Sequence, residues 1–400
     1  MTQPDEQATD DQLKAKARRI SIQEGSLYSV MDGFGLRNIT PFALAIGARN
    51  THIAFLTSMP ALLGNIAQVW TSRAMERFSR KAIVVTMVLL QAAMWLPMLA
   101  LGAAYFICGT RSSLLPTLLV VAYTLFVLFG AFAGPAWSSW MRDLVTSGSG
   151  AYFGRRNRIC GFVALCAMFV GGLILDHFRP TSIFTGFAIL FVISWLFRST
   201  GGIMFTRKYE PRLVHEPGYY FSIWQFLRKM FTNNFGRFAA FEAAMSFAVA
   251  IGSPFIAVYM LQDLQFSYTM YILVTMGGAL STLIFMPFWG KFADRFGNLV
   301  TIRITSFLIP LIVLCWTLSP LVKNAAPGLL LPFLILTDAL SGIAWSGFNL
   351  CTSNFIYDAV TRQRLSLCVA YSNIINGFGM KCIFTFQFGI GTFLKAPNEI

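Results

Sequence analysis

Apolar residues fill this chain in long runs separated by short polar breaks. At about 20 residues per helical crossing of a bilayer, the runs at 25–48, 52–72, 82–107, 113–139, 158–176 and 182–204 each predict a membrane helix. A polar segment at 205–235 follows, and then five more runs at 236–261, 268–290, 299–320, 327–352 and 365–393. Six runs, a linker and five runs predict an all-α polytopic membrane protein. An odd count leaves only Lys395–Ile400 beyond the last run, and the expectation is that a twelfth helix is missing. Residues 1–24 read as a polar tail carrying Lys14, Lys16, Arg18 and Arg19. They contain no apolar core or small-residue cleavage site, so no cleaved signal peptide is expected.

Two of the polar breaks are related. Gly290–Asn298 reads Gly-Lys-Phe-Ala-Asp-Arg-Phe-Gly-Asn, and Ser72–Lys81 is a weaker copy in which Glu76-Arg77-Phe78 matches Asp294-Arg295-Phe296 at an offset of 218. A second pair agrees with it. Asp143-Leu144-Val145-Thr146, Asn157 and Gly161-Phe162 recur as Asp358-Ala359-Val360-Thr361, Asn373 and Gly377-Phe378, at offsets of 215 and 216. The offset skips an even number of runs, so the two halves have parallel topology, an arrangement found in one class of transporters.

Composition and charge placement support the membrane reading. The chain is 56% hydrophobic and 12% charged, against about 25% charged in soluble domains. Its formal charge of +14 is not spread evenly: 24 of the 31 Lys and Arg lie in the N-terminal tail or beside the breaks after runs 2, 4, 6, 8 and 10. Basic residues mark the cytoplasmic side, so the N-terminus and both charged breaks are expected there, in a cell membrane of the bacterial inner-membrane type. The basic balance then needs no nucleic acid. The linker carries Phe221, Trp224, Leu227, Met230 and Phe231 at three- and four-residue steps, which fits an amphipathic helix on the inner surface. The expected division is a tail to 24, a six-helix bundle at 25–204, a linker at 205–235 and a second bundle at 236–400.

Little in the sequence points to catalysis or a cofactor. Most of the seven cysteines lie inside apolar runs with no Cys-x-x-Cys pair, as buried small hydrophobes do. His52, His177 and His215 fall in loops or at run ends, and no metal-ligand spacing, nucleophile arrangement or phosphate-binding loop is present. The reading is a non-enzyme without cofactor or metal.

With both repeats in view, the chain resembles the major facilitator superfamily. Gly290–Gly297 is similar to that family's signature between helices 8 and 9, and Ser72–Lys81 to its counterpart between helices 2 and 3. The resemblance implies two six-helix bundles in parallel pseudo-repeat, lacking the last helix here, and transport of a small solute by alternating access. The hairpin residues suit a cytoplasmic gate. Gly290 and Gly297 permit close approach and a tight turn, while Asp294 can pair with an Arg or face a helix N-terminus. Glu76, Arg77, Arg80 and Asp143 in the first half, and Arg295 and Asp358 in the second, complete that candidate latch. Ser72 and Ser79 replace glycines, Glu76 replaces Asp, and Asn298 stands where a basic residue is usual, so a looser first-half gate is expected. Run 4 lacks Arg-x-x-Gln-Gly and run 5 lacks a Gly-Pro element, which argues against a proton–drug antiporter.

Ionisable residues inside a membrane run are functional candidates, since each costs about 2.5–3.5 kcal/mol on insertion scales. Asp338 lies near the middle of run 10. Asp32 and Arg37 lie in run 1, about 140° apart on an ideal helix, so they need not pair. Lys381 sits in the outer half of run 11, and Glu242 opens run 7 at the place that Glu24 holds in run 1. Asn373 and Asn376 share a face of run 11 and either line a cavity or bond between helices. The leading expectation is a monomeric secondary transporter in the lipid bilayer, with protons as the coupling ion through Asp338 or Asp32. The alternative is a non-transporting receptor or partner-docking protein of the same fold.

Overall fold

The computed structural model describes residues 4–145, 149–211, 223–228, 230–359, 371–372 and 375. All regular structure among them is helical. Among the described residues, nine helices or helix pairs are long and apolar enough to cross a membrane. They correspond to predicted runs 2 to 10, and of run 11 only residues 371, 372 and 375 are among the described residues. The chain divides into two compact units, one up to Glu216 and one from Pro217, with Ser246–Tyr259 grouped with the first.

The first unit contains α1 (Pro4–Phe34), α2 (Ile39–Ala45), α3 (Asn50–Arg77), α4 (Arg80–Ala93), α5 (Trp95–Phe106), α6 (Leu114–Leu144), α7 (Ser149–Phe178) and α8 (Ile183–Thr206). Helix α1 packs on α7 and α8, α3 on α6, and α4 on both α6 and α8. At the end where α6 terminates, Trp140, Met141, Ala136, Val84 and Ala17 form one buried cluster. Ala17 places the expected polar tail inside the bundle. Asp10 and Lys14 pair at 2.6 Å one turn apart, the Tyr152 hydroxyl donates to the Arg18 carbonyl at 3.0 Å, and Arg18 donates to the Leu144 carbonyl at 3.3 Å. One polar face and one small-residue face make these residues the first turns of α1.

Run 1 departs from a single helix. Helix α1 stops at Phe34, and a 3-10 turn over Leu36–Asn38 leads into α2. The buried Asn38 amide donates to the Phe34 carbonyl at 2.9 Å and the Gly33 carbonyl at 3.4 Å, satisfying acceptors that the break releases. The ideal-helix angle between Asp32 and Arg37 therefore does not apply. Arg37 Nε lies 3.5 Å from Asp32 Oδ2, and the two residues do pair.

The second unit contains α9 (Ile223–Arg228), the first part of α10 (Asn234–Val258), whose part from Ser246 groups with the first unit and which continues as a wider turn over Tyr259–Asp263, and α11 (Tyr268–Phe296), α12 (Asn298–Thr317), α13 (Ser319–Ala325) and α14 (Leu330–Ala359). Helix α14 packs on α11 and α12. The α11–α14 crossing is close because Gly278 and Gly342 meet there: a Cβ on Gly342 would run into the Gly278 carbonyl. Thr282 Oγ1 donates to the Gly342 carbonyl at 3.1 Å and Trp289 Nε1 to the Ile343 carbonyl at 2.8 Å, tying the two helices by side chain to backbone. Short α9 buries Phe226 against Phe235 and Tyr371, with centroids 5.9 and 5.8 Å apart.

Helices outrun the apolar runs at the charged breaks. Helix α3 continues to Arg77 and α11 to Phe296, so Glu76, Arg77, Asp294 and Arg295 are residues of last helical turns. Only Phe78 and Ser79 separate α3 from α4, and only Gly297 separates α11 from α12. An apolar run ends where water begins, but the backbone still gains by keeping its hydrogen bonds. A run therefore underestimates a helix that projects from the membrane.

Candidate functional site

A cavity of about 480 Å³ opens inside the first unit, within the range of roughly 300–1,000 Å³ of ligand pockets. Each of five helices contributes polar or aromatic groups. Helix α1 presents Glu24 and Tyr28 one turn apart, α4 presents Gln91, α6 presents Tyr123 and Trp137, α7 presents Arg156, and α8 presents Arg198. A smaller cavity of about 250 Å³ shares Leu36, Tyr123 and Val127 with it.

The charges in this cavity are not equivalent. Glu24 is buried and accepts at one oxygen from Arg156 Nη2, Trp137 Nε1 and Ser21 Oγ, each at 3.3 Å. Arg156 also donates from Nε to the Ser21 carbonyl at 3.1 Å, with its Cζ 4.9 Å from the Trp137 ring centre. Glu24 and Arg156 balance each other's charge. Arg198, only 7% exposed, donates from Nε to Gln91 Oε1 at 2.7 Å and stacks 4.9 Å from the Tyr28 ring. The Gln91 amide is fixed in turn by donating to the Phe126 carbonyl at 3.2 Å. Among the described residues Arg198 meets no carboxylate.

At the end of α8 the chain is pinned to the bundle. Arg80 is 1% exposed, with Nη1 2.5 Å from Asp143 Oδ2 and 3.1 Å from the Ser139 carbonyl. Its Nη2 donates to the Pro211 carbonyl at 2.8 Å, and its Nε lies 3.5 Å from Glu210 Oε1. Trp140 Nε1 donates to the Tyr209 carbonyl at 2.9 Å, and the Tyr209 hydroxyl donates to Asp10 at 2.8 Å. Lys208 is 0% exposed. Its ammonium lies 4.8 Å from the Trp140 ring and 5.3 Å from the Phe205 ring, and burial pushes it down to about 8.

The remaining predicted residues scatter. Asp32 and Arg37 pair with each other at the break in run 1. Glu76 and Arg77 are exposed on the last turn of α3. Asp338 sits at the α11–α14 crossing, where it accepts from the Gly278 amide at 3.1 Å. Glu242 accepts from Ser372 Oγ at 3.2 Å. Asp294 and Arg295 are exposed, with Arg295 5.2 Å from the Phe296 ring, and Gly290 is half-buried near Leu350. Gly297 has φ +89°. Asn373, Asn376 and Lys381 lie outside the described residues, as does the side chain of Asp358.

Sequence reasoning missed Arg198, Gln91, Glu210 and Lys208. The signal for Arg198 was present: it lies inside run 6, at 182–204, yet was grouped with the basic break that follows. Gln91 in run 3 is uncharged and drew no notice.

Long apolar helices around a polar, partly charged cavity define a polytopic α-helical membrane protein with a built internal site. Residues 25–381 match the Major Facilitator Superfamily model, and the chain belongs to that family. The structure resembles a nucleoside transporter, NupG, at TM-score 0.68 and 15% identity, covering 96% of this chain and 93% of that one. It also resembles a bacterial homologue of the iron transporter ferroportin in its inward-facing state, at TM-score 0.66 and 12% identity, covering 94% and 91%. A D-xylose–proton symporter follows at TM-score 0.61 and 14% identity, covering 93% and 89%. These identities carry the fold alone. Among curated proteins, none matches the chain in sequence.

Proposed function

We propose that the protein is a secondary active transporter that moves a small solute across the cell membrane by alternating access. The observation that carries this reading is the cavity of about 480 Å³ lined by Glu24, Tyr28, Gln91, Trp137, Arg156 and Arg198. Ionisable side chains within membrane helices are expensive and gather at solute pathways. That a nucleoside transporter and a sugar–proton symporter share the fold agrees with it. The asymmetry of Lys and Arg supports a reading with the N-terminus and the Arg80 end on the cytoplasmic side of an inner membrane of bacterial type. There the Arg80–Asp143–Glu210 cluster is the first-half element of the gate, and Asp294, Arg295 and Asp358 belong to its second-half element. The protein works as a monomer.

The test is solute counterflow with the purified full chain in liposomes, over a panel of sugars, nucleosides, amino acids and organic acids. Exchange of at least one class above empty vesicles is expected. No exchange of any would replace transport by the receptor reading. Proton coupling through Asp338 or Asp32 is tested by imposing a pH gradient: uptake should follow it, and Asp338→Asn or Asp32→Asn should remove the dependence.

A further inference from the structure

We infer that the first-unit cavity takes an organic monoanion, with a carboxylate held by Arg198 and an apolar or aromatic body among the rings beside it. This rests on the transporter reading and names its substrate class.

The argument begins with charge balance. The charged groups lining the cavity, from α1, α7 and α8, are Glu24, Arg156 and Arg198; Lys208 lies behind Trp137. Asp32 and Arg37, at the break in run 1, cancel each other. Two cations against one carboxylate leave the cavity net positive. Glu24 is paired with Arg156 at 3.3 Å, so its charge is already matched within the protein. Arg198 is the opposite case. Its Nε is taken by Gln91, its face by Tyr28, and among the described residues no carboxylate lies within ion-pair distance of its remaining two nitrogens.

An unpaired cation at low dielectric is unfavourable, and a guanidinium presents paired N–H groups that match a carboxylate. A bound carboxylate would supply the missing charge at the site. Gln91 and Tyr28 hold the guanidinium in place before the ligand arrives, which lowers the ordering cost of binding. Around it Tyr123, Phe126, Trp137, Val84 and Val88 offer rings and methyl groups. These recognise an apolar body, and of them only the Tyr123 hydroxyl can hydrogen-bond a polyhydroxylated one.

The experiment uses the purified full chain in detergent and reads thermal stabilisation and affinity. The probes are benzoate and naphthoate, each against its neutral amide and its amine counterpart, with sodium chloride held constant. Stabilisation by the carboxylates above both counterparts is expected. Arg198→Gln should weaken carboxylate binding about thirtyfold or more. Arg198→Lys, which keeps the charge and guards against a folding defect, should weaken it less. Amides or amines that stabilise as well as carboxylates would overturn the inference, as would carboxylate binding unchanged in Arg198→Gln. Counterflow separates the two readings. Transport of some neutral solute without carboxylate binding removes the anion and leaves the transporter, whereas carboxylate binding without any counterflow keeps the site and removes transport.

Discussion

The two charged hairpins align residue for residue, Ser79 with Gly297 and Arg80 with Asn298, and they solve one turn in two ways. In the first, Ser79 has φ −64° and ψ 146°, and its hydroxyl accepts from the Ala82 amide at 3.1 Å. In the second, Gly297 has φ +89° and ψ 153°, a region essentially open to glycine alone. The first copy kept its basic residue and buried it at Arg80. The second kept its glycines and has Asn298 instead. Loss of glycines suggested a looser first-half hairpin, yet Arg80 there holds Ser139, Asp143, Glu210 and Pro211. A glycine pattern reports how a turn is made, and says little about how firmly it is held.

The contrast extends beyond the turns. Every described Lys and Arg of the second unit, Arg228, Arg237, Lys291, Arg295, Arg303 and Lys323, is exposed. The first unit buries Arg80, Arg198 and Lys208. Exposed cations serve orientation and cost little, whereas buried ones need designed surroundings. The first unit is where electrostatics is built into the packing.

The largest test of that contrast is Arg80→Ala. It strands the carboxylates of Asp143 and Glu210, and breaking a buried pair costs about 3–5 kcal/mol. Asp143 is 37% exposed, so a loss near 3 kcal/mol is expected at the low end of that range. Arg295→Ala in the second hairpin should change stability by less than about 0.5 kcal/mol. Denaturant titration in micelles compares the two, and equal losses would end the asymmetry. Next comes Gly297→Ala, which forces a side chain into a strained backbone region and should destabilise by about 2 kcal/mol.

Lys208 sharpens the comparison through pH. Burial lowers its ammonium to about 8, below the ordinary lysine value. The unfolded chain then binds more protons than the folded one above that pH. Stability should therefore rise as pH climbs from about 8 toward the unfolded lysine value, by at most about 1.4 kcal/mol per unit. The gain is lost as pH falls back through 8. Lys208→Met should flatten this difference, while Lys323→Met, on the exposed set of the second unit, should leave it. A wild-type curve that matches Lys208→Met across that window would show the ammonium to be solvated.

The membrane helices were legible because a bilayer forces apolar runs, and nine of the eleven runs coincide with helices described here. The run ends were not, because helices continue into water where hydrophobicity has stopped reporting them: α3 reaches Arg77, five residues past the run. Asp32 and Arg37 were visible as charges in run 1, but their pairing needed the break after Phe34, which a periodicity argument assumes away. Arg198 was hidden by its neighbours, since basic residues close to a run end were read as topology signals. Its meaning depends on Gln91 and Tyr28, which lie on other helices and carry no charge to draw attention.

The smallest effect lies at Ser79 and isolates how the first turn is made. Its backbone angles suit any residue, so the side chain contributes only its cap on the Ala82 amide. Ser79→Ala should cost about 1 kcal/mol. Ser79→Gly, which restores the glycine of the second copy, should cost only a few tenths, about 0.3 kcal/mol, because an open helix terminus can then be solvated. The reciprocal Gly297→Ser should cost more than either, since serine meets the strain at φ +89° before its hydroxyl can cap anything. Thermal shifts of the three variants rank the two turns directly. If Gly297→Ser proved as mild as Ser79→Gly, the positive φ would not be a constraint and the two hairpins would be one turn with different residues.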